Sequence, residues 1–313
     1  MNNMKEIVIN GNQIINIEFE MYGENFIKYL DVDEKTLKSY KAGINNFIEY
    51  LKENNIKLPI RENVIDYRDY LRQTYCSNTV NSYMTALRAL FKYLKIHKMY
   101  DNLAEDVKGA KYSTTPKKQV LSPKELNYIY NNLTNKREKA VFSLLITTGL
   151  RGIEVSRAEI TDIKIHNGEI VLWIQCKKHD EKDEYVKLSQ QVLKDLYDYI
   201  GNRTTGPIFI STSNNSKGES MTTTSIRKMI KNIFTRFGFE GDSYSLHCTR
   251  RSSATAMYLS GVDVPSIQQI LHHKSQNTTM RYINAITRNE NKGEYIASDL
   301  LLGGVEWKDC FVI

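Results

Sequence analysis

Between Glu18 and Lys108 apolar residues recur at three- and four-residue intervals, and the repetition stops at a polar stretch, Gly109 to Val120. Such spacing gathers apolar side chains onto one stripe of a helix. The first part of the chain therefore reads as a helical bundle. FEMYGENFIKYL is its first helix, Glu34 to Asn55 its second, closed before Pro59, and Arg61 to Tyr75 its third. Asn78 to His97 is the fourth, with Asn78 or Thr79 as its cap. The stretch GAKYSTTPKKQV carries a proline and three lysines without apolar periodicity, and it reads as a linker running along something anionic. A chain of 313 residues that is 41% hydrophobic more readily builds two modest cores than one large one. The expected organisation is an extension over 1–17, a helical domain over 18–108, a linker over 109–120 and a second domain over 121–313.

The second segment opens with Ser122-Pro123-Lys124-Glu125. Its serine and glutamate can satisfy each other's backbone donors, with proline at the first helical position. A helix follows to about Asn132, then one from Lys136 to Thr148 that is apolar on most sides and so reads as buried. The period changes only once. Asp162 to Ile165 and Glu169 to Cys176 flank Asn167-Gly168, the strongest short hairpin turn, and the polar loop Lys177 to Asp183 leads to a third strand, Glu184 to Leu188. Helical spacing returns from Ser189 to Ile200, and from Ser225 to Phe237 after a threonine-rich start. Short helices are expected over Ser245 to Ser260, Val264 to His272 and Asn277 to Ala285. The expected fold is mainly α with one small antiparallel β-sheet.

Charge narrows the partner. Lysine and arginine number 43 against 36 acids, a formal net charge of +7, which favours a polyanion. Residues 71–100 hold Arg72, Arg88, Lys92, Lys95 and Lys98 and no acid. Tyr83, Met84, Leu87, Leu90, Phe91 and Leu94 form the apolar stripe of that stretch, and Arg88, Lys92 and Lys95 share the opposite face. One such face is ordinarily just solvated. The lack of interleaved acids tilts the reading toward phosphate contact. Arg72, Arg88, Lys92 and Lys95, with Lys117 and Lys118 in the linker and Arg227 and Lys228 on the later basic helix, are the expected nucleic-acid contacts. No apolar run approaches a membrane span, and MNNMKEIVING lacks the pattern of a signal peptide. Cys76, Cys176, Cys248 and Cys310 lie far apart with no CxxC pair, which excludes a small disulfide scaffold and a thiolate zinc site and fits the cytoplasm.

No GxxxxGK[ST], GxGxxG or HExxH occurs, nor paired acids with nuclease-type spacing. Chemistry on a polyanion would then need positive side chains at the phosphate and a protein nucleophile. Arg151 follows Thr147-Thr148-Gly149-Leu150, where it reads by default as a charge complementing a helix C-terminus. Glu154 lies three residues on. His247 and Arg250 sit one helical turn apart, a spacing common by chance. His272-His273 suggests metal, yet neighbours on a helix point apart and no Cys/His partner has ligand spacing. Tyr282 is one of 20 tyrosines, any of which is by default a packing residue.

In sequence order, however, TTGLRGIEV at 147–155, a lysine in IQCKKHDEKDEYVKL at 174–188, HCTRRSSAT at 247–255 and ILHHKSQNTTMRYI at 270–283 resemble the tyrosine recombinase (phage integrase) family, especially its Xer-type and mobile-element members. The resemblance covers nearly the whole chain. It implies an N-terminal helical core-binding (SAM-like) domain and a C-terminal α+β catalytic domain. It also implies catalytic roles for Arg151, Lys177, His247, Arg250, His273 and Tyr282, with Glu154 supporting. Two guanidiniums, Arg151 and Arg250, would take the charge that grows on a phosphodiester under attack. Tyr282 would be the nucleophile, and Lys177, on the β-hairpin, the acid that protonates the departing 5′-oxygen. His247 would move the phenol proton and His273 donate to the phosphate.

The chain departs from the family pattern in three places. The usual LGH reads Leu271-His272-His273, where the nine-residue spacing to Tyr282 selects His273 over His272. Arg250 and Arg251 stand side by side, and the i+3 relation to His247 selects Arg250. Lys177, Lys178 and Lys182 are all candidates for the hairpin lysine, with Lys177 aligned to the first lysine of the family's turn.

The resemblance implies a site-specific recombinase that cuts and rejoins DNA through a 3′-phosphotyrosyl intermediate, with no metal or nucleotide cofactor, in integration or excision of an element or resolution of dimers. Alternatives are a type IB topoisomerase-like enzyme and a non-catalytic DNA-binding factor on the same fold. Expected partners are double-stranded recombination sites, a homo-tetramer on two sites built from monomers or weak dimers, and accessory DNA-bending proteins. The setting would be the nucleoid. The tail over 283–313 would pack on its own domain or be exchanged between protomers.

Overall fold

The computed structural model describes residues 16–111, 119–177 and 179–283. The chain divides into two compact units, 1–115 and 116–313. The division falls inside the polar stretch 109–120. Lys117, Lys118, Lys178 and nearly all of the 283–313 tail lie outside the described residues.

The first unit holds α1 (Asn16–Tyr29), α2 (Glu34–Glu53), α3 (Arg61–Thr74) and α4 (Ser77–Ile96). α1 begins two residues before the expected start of the domain. Asp33 caps α2, its carboxylate accepting the Thr36 N–H at 2.9 Å. α2 packs most extensively on α4, and the two bury Ile44, Phe47 and Leu51 against Met84, Leu87 and Leu94. α4 starts a residue earlier than expected, on Cys76 and without a side-chain cap rather than on Asn78 or Thr79. Its first turn is polar, so the apolar spacing that marks the helix sets in only after the helix has begun.

In the second unit Ser122 and Glu125 form the expected reciprocal cap of α5 (Pro123–Asn132). α6 (Lys136–Thr148) is the spine, with Ala140 through Leu145 buried. It ends at Gly149, whose φ of 65° is the left-handed geometry that closes a helix. A short helix the sequence did not announce, α7 (Gly152–Arg157), follows at once.

The sheet has order β1-β2-β3, all antiparallel: β1 (Ile163–His166), β2 (Glu169–Ile174) and β3 (Glu184–Lys187). Asn167 and Gly168 both take positive φ at the β1–β2 turn, as a two-residue hairpin loop requires. After α8 (Gln190–Ile200) and α9 (Thr223–Arg236) come α10 (Leu246–Leu259), α11 (Val264–Ile270) and α12 (Gln276–Ile283).

One large core joins α5 through α9 to the sheet. A second, much smaller cluster comprises Ala254, Ile267, Leu271 and Ile283, with Tyr282 packed against it. That small cluster seats α12.

Candidate active site

Arg151 sits where α6 ends and α7 begins. Taken by itself the residue reads as a charge complementing the end of α6; it is instead the N-cap residue of α7. Gly149 reverses the chain, so the helix next in contact with Arg151 is the one that follows. Glu154, fully buried, binds both ends of this residue: its carboxylate accepts the Arg151 backbone N–H at 2.7 Å and Nη1 at 2.8 Å. The guanidinium is thereby fixed in direction while a quarter of the side chain stays exposed.

Arg250, on α10, is 2% exposed. Nη1 donates to the carbonyl of Gly149 at 2.5 Å, and Nη2 donates to the carbonyl of Leu271. Those carbonyls close α6 and α11, so the cation faces the negative ends of two helices, which offsets part of its desolvation. Burial first, then the nearby Arg151, brings its pKa down to about 10, opposed by Glu154 and by the nearby Tyr282 phenol. It stays charged at neutral pH. Its Nε has no hydrogen-bond partner among the described residues.

α11 stops at Ile270, two residues short of the expected end. His273 N–H bonds back to the Gln268 carbonyl at 3.0 Å and His272 N–H to that of Gln269 at 2.9 Å, a Schellman closure with His272 in the left-handed position, φ 48°. The sequence reading placed the two histidines on a helix pointing apart. The closure instead puts both on the wall of one cavity. His273 Nδ1 lies 2.9 Å from the Thr279 hydroxyl, and Nε2 has no partner among the described residues. Burial, then Arg250 and Arg151, lowers its pKa to about 3, which keeps it neutral. The Tyr282 ring stands edge-on to His273 with centroids 5.1 Å apart.

The cavity, about 900 Å³, is also lined by Arg151, Cys176, Lys177, His179 and Glu184. Lys177 is exposed at its rim. Lys182, the rival hairpin lysine, is tied down elsewhere, donating to Asp162 at 2.7 Å and Glu159 at 3.3 Å. Burial pushes the Cys176 thiol up to about 11, so it is protonated and inert. His247 is exposed at the start of α10, whereas Arg250 one turn later is buried; neither lines the cavity itself. Among the described residues no group of three or more His, Cys, Asp or Glu could hold a metal.

The expected surface cations divide. Arg72 bonds Asp69 at 3.0 Å and the Gly109 carbonyl at 2.5 Å, and Lys95 pairs with Glu105 at 3.2 Å. Arg88 folds back onto the Met84 carbonyl at 3.0 Å. Lys92, Arg227 and Lys228 are exposed. The acid-free window of sequence thus has acids beside it in space.

The sequence profile of the Phage integrase family matches residues 119–288, and that of the Phage integrase N-terminal SAM-like domain matches residues 24–98. The chain belongs to the phage integrase family. A tyrosine recombinase XerC from Syntrophus aciditrophicus (strain SB) is 26% identical over 298 residues, covering 83% of this chain and 91% of that protein. Tyrosine recombinase XerA from Thermococcus kodakarensis is 24% identical over 278 residues, covering 87% and 93%.

Solved structures share the fold, two of them as follows. XerH site-specific recombinase bound to palindromic difH substrate, a post-cleavage complex, superposes with a TM-score of 0.68 at 19% identity over 91% of this chain and 85% of that one. A lambda integrase dimer bound to a COC′ core site gives 0.67 at 17% identity, over 86% and 78%. Within this phage integrase family member, four site-building residues escaped sequence reading: His179, Glu184, His272 and Thr279. Spacing to Tyr282 actively argued against His272, and the others carry nothing in one dimension that sets them apart.

Proposed function

We propose that the chain is a site-specific DNA recombinase that breaks and rejoins strands through a covalent bond between Tyr282 and a 3′-phosphate. The observation that carries this reading is that Arg151, Lys177 and His273 line one cavity, with the Tyr282 ring edge-on to His273 and the buried Arg250 guanidinium near enough to Tyr282 and His273 to act on their charge. Attack by the phenol oxygen forms a P–O bond as the P–O5′ bond breaks. Arg250 donates two of its five N–H groups to carbonyls, leaving three for the phosphate and the phenol. Arg151, aimed by Glu154, supplies a second fork to the nonbridging oxygens. Nδ1 of neutral His273 shares a hydrogen bond with the Thr279 hydroxyl; we take the hydroxyl as donor, which puts the imidazole proton on Nε2, from where it donates to the same oxygens.

Lys177 gives the departing 5′-oxygen its proton, and the phenol proton is assigned to His247. The broken ester energy is kept in the phosphotyrosyl bond, so rejoining needs no ATP, and the charge at phosphorus is met by side chains rather than by a metal ion. The partner is double-stranded DNA, and the reading extends to four protomers on two sites. A lambda integrase tetramer bound to a Holliday junction shares the fold with a TM-score of 0.68. Both units would grip the duplex, and the work would take place at the nucleoid; no helix among the described residues is long and apolar enough to cross a membrane.

The test is a nicked duplex bearing a site selected from a random-sequence pool by binding to this protein. Incubation should give a covalent protein–DNA band. Tyr282→Phe keeps the ring and its packing and loses only the oxygen, so it should abolish the band while DNA affinity stays within a few fold. A band that persists in Tyr282→Phe would falsify the nucleophile.

A further inference from the structure

His272 is at odds with its surroundings in two ways that the proposed chemistry does not use. Its φ of 48° is a backbone conformation that residues carrying a Cβ rarely adopt, and the side chain is only 9% exposed. Within that burial Nε2 has no hydrogen-bond partner among the described residues. A buried polar atom left alone is a standing penalty, and glycine would occupy the same turn without either strain or burial.

The other ring nitrogen shows what holds the imidazole there. Nδ1 lies 3.3 Å from Glu184 Oε2. Glu184 opens β3 and pairs with Ile174 of β2, so it stands at the base of the loop that carries Lys177. Lys177, His272 and Glu184 all line the same cavity. A carboxylate beside Nδ1 favours the proton on that nitrogen, which leaves Nε2 as a lone pair. Burial outweighs the pull of Glu184 and Glu154 and, with Arg250 and Arg151 adding to it, holds the ring below the ordinary imidazole range, so it is neutral at neutral pH. A neutral acceptor with a free lone pair, in a cavity whose rim bears a lysine, suits an ammonium donor.

We propose that His272 is a positioning residue: braced by Glu184, its Nε2 accepts a hydrogen bond from the Lys177 ammonium and aims that proton at the departing 5′-oxygen. This rests on the reading of Lys177 as general acid. The ammonium, unlike a guanidinium, has no fixed direction of its own on its flexible stem, so a fixed acceptor is what would give it one. No bond other than the donated hydrogen bond changes at His272.

The experiment compares two versions of the selected nicked duplex, one with oxygen and one with sulfur at the 5′-bridging position, in single turnovers at saturating protein. A thiolate leaves without a proton, so the sulfur duplex needs no acid. His272→Asn retains a residue that tolerates positive φ and removes the imidazole. It should slow cleavage of the oxygen duplex on the order of 10²-fold, as displacement of a reacting group does, and cut the sulfur duplex nearly as fast as the parent protein. Glu184→Gln should follow the same pattern more weakly. The double variant Lys177→Ala with His272→Asn should be no slower than Lys177→Ala alone. Brisk cutting of the sulfur duplex also certifies that each variant is folded. Equal slowing on both duplexes, or losses that multiply in the double variant, overturns the positioning role. If sulfur rescues Lys177→Ala but not His272→Asn, this proposal alone is wrong; if it fails to rescue Lys177→Ala, the general-acid reading falls first.

Discussion

Arg250 does two jobs that substitution can separate. Its guanidinium ties the carbonyls that end α6 and α11, and it faces the Tyr282 phenol. Arg250→Ala should therefore lose the covalent complex and also stability, because two carbonyls lose their donor at about 1–3 kcal/mol for each that stays buried and unpaired. Arg250→Lys keeps the charge, but one ammonium cannot reproduce the fork; it should recover some stability over alanine and little cleavage. Thermal denaturation beside the band assay reads both, and an alanine variant as stable as the parent would remove the structural half of the claim. The spacing from His247 singled out Arg250, yet one dimension cannot show that the pair differ so much in exposure. Nor could it place Arg151 at a helix start, or turn His272 and His273 to one wall. Each of those outcomes hangs on a left-handed residue, at Gly149 or His272 itself, and spacing rules assume the helix simply continues.

Where α6 meets α11, the geometry leaves no room for a side chain at Gly149. A Cβ there would come within 2.4 Å of Leu271 Cδ2, at φ 65°. Gly149→Ala should destabilise by about 1 kcal/mol from backbone strain alone, and by more because Leu271 must move. Its carbonyl is one of those Arg250 holds, so cleavage should fall while DNA binding does not. Gly168→Ala is the control: its φ is 78° but nothing lies within 4 Å of the added carbon. Urea denaturation should rank Gly149→Ala as the more damaging; the reverse order would show that the α6–α11 approach is slack. Among elements, the helices with polar caps and the Asn167-Gly168 hairpin could be read from sequence because their determinants are local. α7 could not, since six residues are too few for a period to appear, and α4 outran its apolar stripe at the polar end.

Each of the two units has its own core, and nearly all of the positive excess, +6 of +7, falls in the second, 116–313. Binding to DNA should weaken steeply with salt as lysines and arginines displace counterions, while strand cleavage should survive EDTA. A strict Mg²⁺ requirement for cleavage would contradict the charge assignment to Arg151 and Arg250. The salt slope should owe more to Lys92, Arg227 and Lys228 than to Arg72 and Lys95, which already have acids beside them; charge counted along a sequence cannot distinguish these groups. The seat of α12 has a consequence of its own. Tyr282, the proposed nucleophile, rides on a patch of four buried side chains among the described residues, set apart from the main core that holds the unit together. Opening that patch takes a small part of the free energy that unfolding the unit does. Such a protein could be disarmed without being denatured: copies whole by every global measure would carry no loaded tyrosine whenever that small patch opened, and their number would follow the margin of the patch more than the stability of the fold.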